Sequence, residues 1–234
     1  YERLAAEQTA RLADRARRDV LRGAIEESIP SAALRSYLVA EERFDLSAAD
    51  RVGRLDEALA AAPDFARAAL LRGELRFSQR SEADSPAARE AIYEAAHADF
   101  ERATNRWPLS TPPAATSDLA IRVWRGLAFT RFFRTEAVPL PAVLAAFERL
   151  GAAVPDDDRV TEFRRVLAEI EDGRVNRAAY RAYLEALTAT STAQRATAID
   201  RARAAQPDLH EIVLLQGRIL LGQLFDYLQA LAQL

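Results

Sequence analysis

The 234-residue chain has no cysteine and no methionine, and all 32 of its basic residues are arginine. Without cysteine there is no disulfide framework, no thiolate nucleophile and no cysteine-ligated zinc. Without lysine there is no Schiff-base amine and no P-loop lysine. With only 8 glycines, scattered along the chain, neither a phosphate-cradling loop nor a Gly-rich dinucleotide turn can be assembled, and no Gly-x-Ser-x-Gly elbow is present. No run approaches the roughly 18 apolar residues of a membrane-spanning helix. Against 32 bases stand 35 acids, so net charge creates no field for binding a phosphate backbone, and no nucleic-acid partner is expected. Valine and isoleucine are scarce and no β-branched alternation is sustained, so no sheet is expected.

What remains is a chain that is 50% hydrophobic and dominated by alanine, leucine, glutamate and arginine. Such a composition can bury a core and favours helix throughout. The chain starts at Tyr1 without methionine and is expected to be processed or trimmed. That leaves open a cytoplasmic compartment or export by a leader outside the sequence. Replacement of lysine by arginine is most simply the signature of a GC-rich bacterial genome.

Proline, glycine and Ser/Thr-rich breaks divide the chain into about twelve helical segments. Residues 1–30 read as an N-terminal helical arm, solvated through Glu7–Arg11 and Asp14–Arg18 pairs. Its Arg15, Arg17, Arg18 and Arg22 are interleaved with Asp14 and Asp19, as on a solvated face. Helices are expected near 32–43, 48–61, 64–79, 86–106, 117–134, 141–150, 156–171, 175–188, 192–205, 208–221 and 223–234. Ser117 or Asp118 caps the sixth of these segments. The longer breaks are 80–85, 109–116 and 135–140; the run around Pro112 and Pro113 is the most linker-like.

The most informative feature is self-similarity. Residues 48–75 align without gaps on 192–219, matching Arg51 to Arg195, Asp56 to Asp200, Pro63 to Pro207, Asp64 to Asp208, Leu70 to Leu214, Leu71 to Leu215 and Gly73 to Gly217. A two-residue shift extends the match to Tyr37-Leu38 against Tyr183-Leu184. Inside this long period lies a shorter one. Four times an apolar residue stands eight before a proline and a small or apolar residue five before it: Leu55/Ala58/Pro63, Phe100/Ala103/Pro108, Phe147/Leu150/Pro155 and Ile199/Ala202/Pro207. Small residues let helices cross closely, and the proline is expected to end one helix and pre-set the next.

With Gly73, Ala96, Phe100, Ala103 and Pro108, the pattern resembles the tetratricopeptide repeats, over about residues 31–234. The interval from Gly73 to Ala96 is about eleven residues longer than in those repeats, which places an insertion at Ser78–Ala88. Arg165 stands where one unit should carry glycine. The resemblance implies an all-α, TPR-like right-handed superhelix of antiparallel helix pairs with irregular loops. It also implies a noncatalytic scaffold that binds a protein or peptide in a concave groove, as a bacterial assembly or adaptor component. Counted from each glycine, the exposed concave positions are Arg67, Leu70, Glu74, Phe77, Val123, Leu127, Leu214 and Arg218. With no lysine and only Asn105 and Asn176, the carboxylate clamp of chaperone-binding members is not available.

The alternative is an exported small-ligand-binding or transport accessory protein of the same fold, with an aromatic-lined pore around Trp124 and Phe132. Trp124, Phe129, Phe132 and Phe133 are dense on one helix, and core or inter-helix packing explains them without a ligand pocket. Glu94-x-x-His97 has the spacing of a di-metal ligand pair, but the second such motif is missing, so no metal and no cofactor is expected. Asp156-Asp157-Asp158 is accounted for by the helix dipole. No nucleophile–base set is evident, so the chain is not expected to be an enzyme. Leu220, Leu221, Leu224, Phe225, Leu228, Leu231 and Leu234 form a broad apolar surface. It is expected to fold inward as the final stacked element. The alternative is burial against another subunit, as an oligomer contact through the C-terminal helix, or against a continuing chain.

Overall fold

The computed structural model describes residues 28–108, 117–134 and 137–219. Among them there is no strand. The α-helices are α1 Ser31–Glu42, α2 Ala48–Ala61, α3 Ala66–Ser78, α4 Pro86–Ala103, α5 Asp118–Phe133, α6 Leu140–Ala153, α7 Asp158–Glu171, α8 Arg177–Thr188 and α9 Thr192–Ala205, with a helical stretch at 210–219 (α10). One 3-10 turn, Gln79–Ser81, follows α3. The fold is all-α, and each helix lies where a segment is expected, to within a few residues. The N-terminal arm with its arginine cluster, the run around Pro112 and Pro113, and the apolar 220–234 segment lie outside the described residues.

Helix starts follow from caps written in the sequence. Ser47, Ser85, Ser117, Asn176 and Ser191 each accept a backbone N–H from the first turn they precede, which satisfies donors that otherwise have no intrahelical partner. Ser191 and Gln194 close a reciprocal capping box. Helix ends repeat one turn three times. Ala62, Val154 and Gln206, each just before a proline, donate their N–H to Ala58, Leu150 and Ala202 at 2.9, 3.0 and 2.9 Å. These acceptors are the residues five before the proline. Pro63, Pro155 and Pro207 thus sit in two-residue turns, and the next helix starts three residues later. The proline therefore stops a helix but does not enter the first turn of the one that follows, contrary to expectation.

Consecutive helices pack side by side from α1 to α7 and again from α8 to α9, and α3 also touches α5. The apolar and small residues of the short period are buried in every copy, from Leu55 and Ala58 to Ile199 and Ala202, whereas its prolines are exposed. The two halves of the long period are built alike: α1/α2 and α8/α9 are both closely packed hairpins. Arg51 Nε donates to the Ala40 carbonyl at 2.6 Å and its match Arg195 to that of Ala189 at 3.2 Å, each tying the second helix to the end of the first. Six helices lie between α1 and α8.

The second hairpin does not simply extend the row; α8 returns to α4 and α5. Glu185, buried on α8, accepts from Arg89 and Tyr93 of α4, Arg181 of α8 and Arg201 of α9. Arg177, at the start of α8, donates to the Arg131, Phe132 and Val138 carbonyls at 2.6 to 3.2 Å. It thereby satisfies acceptors that the end of α5 leaves open. Burial and the nearby Arg181 charge push Arg177 down to about 10.

Candidate functional site

Where α8 folds back, it faces α3, α5 and α7 across a cavity of about 490 Å³. Helical spacing explains which residues line it. Glu74, Phe77 and Ser78 come from one face of α3, with Arg80 just beyond its end. Arg122, Arg125, Gly126, Phe129 and Phe133 come from one face of α5, Arg159 and Phe163 from α7, and Leu184, Leu187 and Thr188 from α8. Helix α4 contributes only Phe100, whose ring lies between Gly73 of α3 and Gly126 of α5. Because neither glycine has a β-carbon, the ring reaches the cavity past α5.

The walls are aromatic and mutually supported. Phe77 and Phe133 meet edge to face at 5.8 Å, Phe129 and Phe163 at 5.0 Å, and Phe133 stacks on Tyr93 at 4.8 Å. The charges at the edge are unequal: four arginines and one carboxylate line the cavity. Arg122 holds Glu74 in a two-pronged pair, with its Nε at 2.8 Å. Arg125 pairs with Asp157 at 2.6 Å. The side chains of Arg80 and Arg159 have no carboxylate partner among the described residues. Arg80 lies 4.3 Å over the Phe77 ring and donates to the Phe77 carbonyl at 2.7 Å; burial lowers its pKa.

Chemically this wall can bind, and its hydroxyl groups are already committed. Ser78 donates to the Leu75 carbonyl at 2.6 Å and Thr188 to that of Leu184 at 3.2 Å. The wall contains no histidine, and its one carboxylate is held by Arg122.

Of the eight concave positions read from the sequence, Glu74 and Phe77 line this cavity. Leu70, Val123 and Leu127 are not exposed; they are buried core. Leu70 shares the Phe77 face about two turns earlier, where the core has closed over it. Val123 and Leu127 point about a third of a turn away from the cavity face of α5. Arg67 is half-buried, and Leu214 and Arg218 are exposed on α10, outside the cavity lining. The aromatic group on α5 is split in the same way: Phe129 and Phe133 face the cavity, whereas Trp124 and Phe132 are buried. A pore around Trp124 and Phe132 is therefore replaced by a cavity around their neighbours. Arg80, Phe100, Arg159, Phe163, Leu184 and Leu187 were missed, because their convergence depends on the return of α8.

Glu94 and His97 do not act together. Glu94 lines a separate polar hollow of about 530 Å³ with Glu90, Arg134, Arg181 and Arg201. His97 is buried against Thr130, with Nδ1 to Oγ1 at 2.9 Å, and its Nε2 lies 3.2 Å from Glu101. Among the described residues no group of three His, Asp or Glu side chains converges as a metal site. Asp157 caps α7 through the Arg159 and Val160 amides. None of the described helices is long and apolar enough to cross a membrane.

No family model, curated protein or solved structure matches the chain.

Proposed function

We propose that this protein is a noncatalytic binding protein of tetratricopeptide-like, superhelical build, whose curled helices take an apolar small ligand into the α3–α5–α7–α8 cavity. The observation that carries this reading is the cavity itself, about 490 Å³ and walled by five phenylalanines and two leucines. That volume falls within the roughly 300–1,000 Å³ of small-molecule sites. Burying apolar carbon there is worth about 0.8 kcal/mol per methylene. Burial of Leu70, Val123 and Leu127 leaves less of an open groove for an extended peptide. A second reading, capture of a protein or peptide through one large apolar side chain, is favoured by the half-exposed Leu187 at the cavity.

The test is titration of the full chain with the neutral fluorescent probe N-phenyl-1-naphthylamine. Saturable one-to-one binding is expected, weakened at least about ten-fold by glutamate at both Leu184 and Leu187, where a carboxylate meets an apolar wall. Leu187 is half-exposed, whereas Leu184 is partly buried against the core, so L187E alone should weaken the probe with little change in helicity or unfolding midpoint. Probe binding that the double variant leaves unchanged would move the ligand site elsewhere.

A further inference from the structure

We infer that the cavity selects an amphipathic anion, an apolar chain or ring with a single acidic head, and that Arg80 and Arg159 hold the head. This deepens the reading of the cavity as a ligand site and rests on it. The argument is one of unmatched charge. Arg122 and Arg125 are satisfied by Glu74 and Asp157. Arg80 is half-buried, with one hydrogen bond, to the Phe77 carbonyl, and an aromatic face beneath it. Glu185, whose charge acts on Arg80, already accepts from three other arginines and from Tyr93. Arg159 also lines the cavity, from α7, and is exposed, with no side-chain partner among the described residues.

Half-buried on the Phe77 ring with one acceptor, the Arg80 guanidinium is short of hydrogen-bond partners. An anion restores them through charge-assisted bonds, while exposed Arg159 adds attraction from α7. Arginine suits the planar carboxylate and the tetrahedral phosphate alike. The neighbouring phenylalanines and leucines offer such a head no acceptor competition and give its tail a place to be buried. A cation with the same tail would meet four guanidinium groups against one carboxylate, which is already paired.

The experiment compares two probes that share a ring system, neutral N-phenyl-1-naphthylamine and anionic 1-anilinonaphthalene-8-sulfonate, on the full chain. The proteins are the native sequence, R80Q, R159Q, the double variant and a distant charge control, R35Q. Loss of a charge-assisted pair should weaken the sulfonate about ten-fold or more in the double variant and leave the neutral probe within about two-fold. R35Q should leave both unchanged. Because Arg159 is exposed, R159Q alone should show part of the effect even if R80Q perturbs folding. Competition then identifies the head: decanoate and decyl phosphate should displace the sulfonate and decanol should not, and the stronger of the two acids distinguishes a carboxylate ligand from a phosphate. If both probes bind and the arginine variants change them equally or not at all, or if decanol competes as well as the acids, the inference falls while the cavity remains a ligand site. If neither probe binds, the reading of the cavity fails and the inference goes with it.

Discussion

Phe100 of α4 lies across the bare α-carbon of Gly126 on α5, so that a β-carbon built on Gly126 would stand 2.5 Å from the ring Cζ. The same ring edge lies 3.0 Å from the place a β-carbon would take on Gly73. One aromatic side chain thus spaces α3, α4 and α5 and forms part of the cavity wall.

Three alanine substitutions separate packing from helix propensity at these glycines. Alanine in a helix gains roughly 0.5–1 kcal/mol over glycine from backbone entropy, and that gain is shared by all three sites. At Gly126 the clash with a buried ring should outweigh it and cost about 1–3 kcal/mol. At Gly73 the two effects should nearly cancel. At Gly53 on α2 nothing lies within 4 Å, so G53A should stabilise. Urea unfolding midpoints should rank G53A above the native chain and G126A below it. G126A should also weaken the neutral probe, since the displaced ring moves the wall.

Glu185 joins three helices, and its substitution tests the closure of the curl. Its burial opposes ionisation, yet the charges and hydrogen bonds of Arg181 and Arg201 hold its carboxyl below the usual range. E185Q keeps the shape but removes the carboxylate that Arg89 pairs with, while Arg181 keeps Glu90, at a cost of about 3 kcal/mol. If α8 is held against α4 in this way, limited proteolysis of E185Q should cleave between α7 and α8 sooner than in the native chain. Unchanged proteolysis and stability would mean that the aromatic contacts of Tyr180 with Phe132 and Phe163 hold α8 unaided.

The helices were legible because caps, prolines and apolar spacing are local signals, and local signals decide where a helix starts and stops. Ser117 shows this: its side chain accepts from the Ala120 amide, as its place in the sequence predicts. The matched arginines Arg51 and Arg195 show that the long period also carries contact information. The cavity was legible only in part, since Glu74 and Phe77 follow from spacing around Gly73. Leu184 and Leu187 reach it because Arg177 and Glu185 dock α8 on helices far away in the chain. No periodicity within α8 distinguishes a face turned to a cavity from one turned to solvent. Counting outward from Gly126 also failed at Val123 and Leu127, because the glycine itself occupies the cavity face and its neighbours turn into the core.

Arg177 should matter to α5 more than to its own helix. R177Q removes charge-assisted bonds to three carbonyls, a loss of about 1.5–3 kcal/mol. Hydrogen exchange should locate it: amides in the last turn of α5 should exchange faster, whereas those of α1 and α2 should shift only with global stability. Uniform acceleration everywhere would instead assign Arg177 a general packing role.

His97 provides a pH test in the core. His97 Nδ1 lies 2.9 Å from the Thr130 hydroxyl, and its Nε2 lies 3.2 Å from the Glu101 carboxylate. Burial disfavours the second proton and lowers the His97 pKa, with Arg134 and Arg131 acting in the same direction and Glu101 opposing. An unfolded histidine titrates near about 6.5. Just below that pH the unfolded chain takes up a proton that the folded chain refuses, so protonation favours unfolding. Stability contributed by neutral His97 is therefore full above the unfolded pKa. It declines as pH falls through the mid-6s toward the folded value and is lost below it. Urea titrations across this window should show the slope in the native chain and its absence in H97Q. A native chain that gains stability on acidification through the same window would show that the Glu101 ion pair, and not burial, governs this histidine.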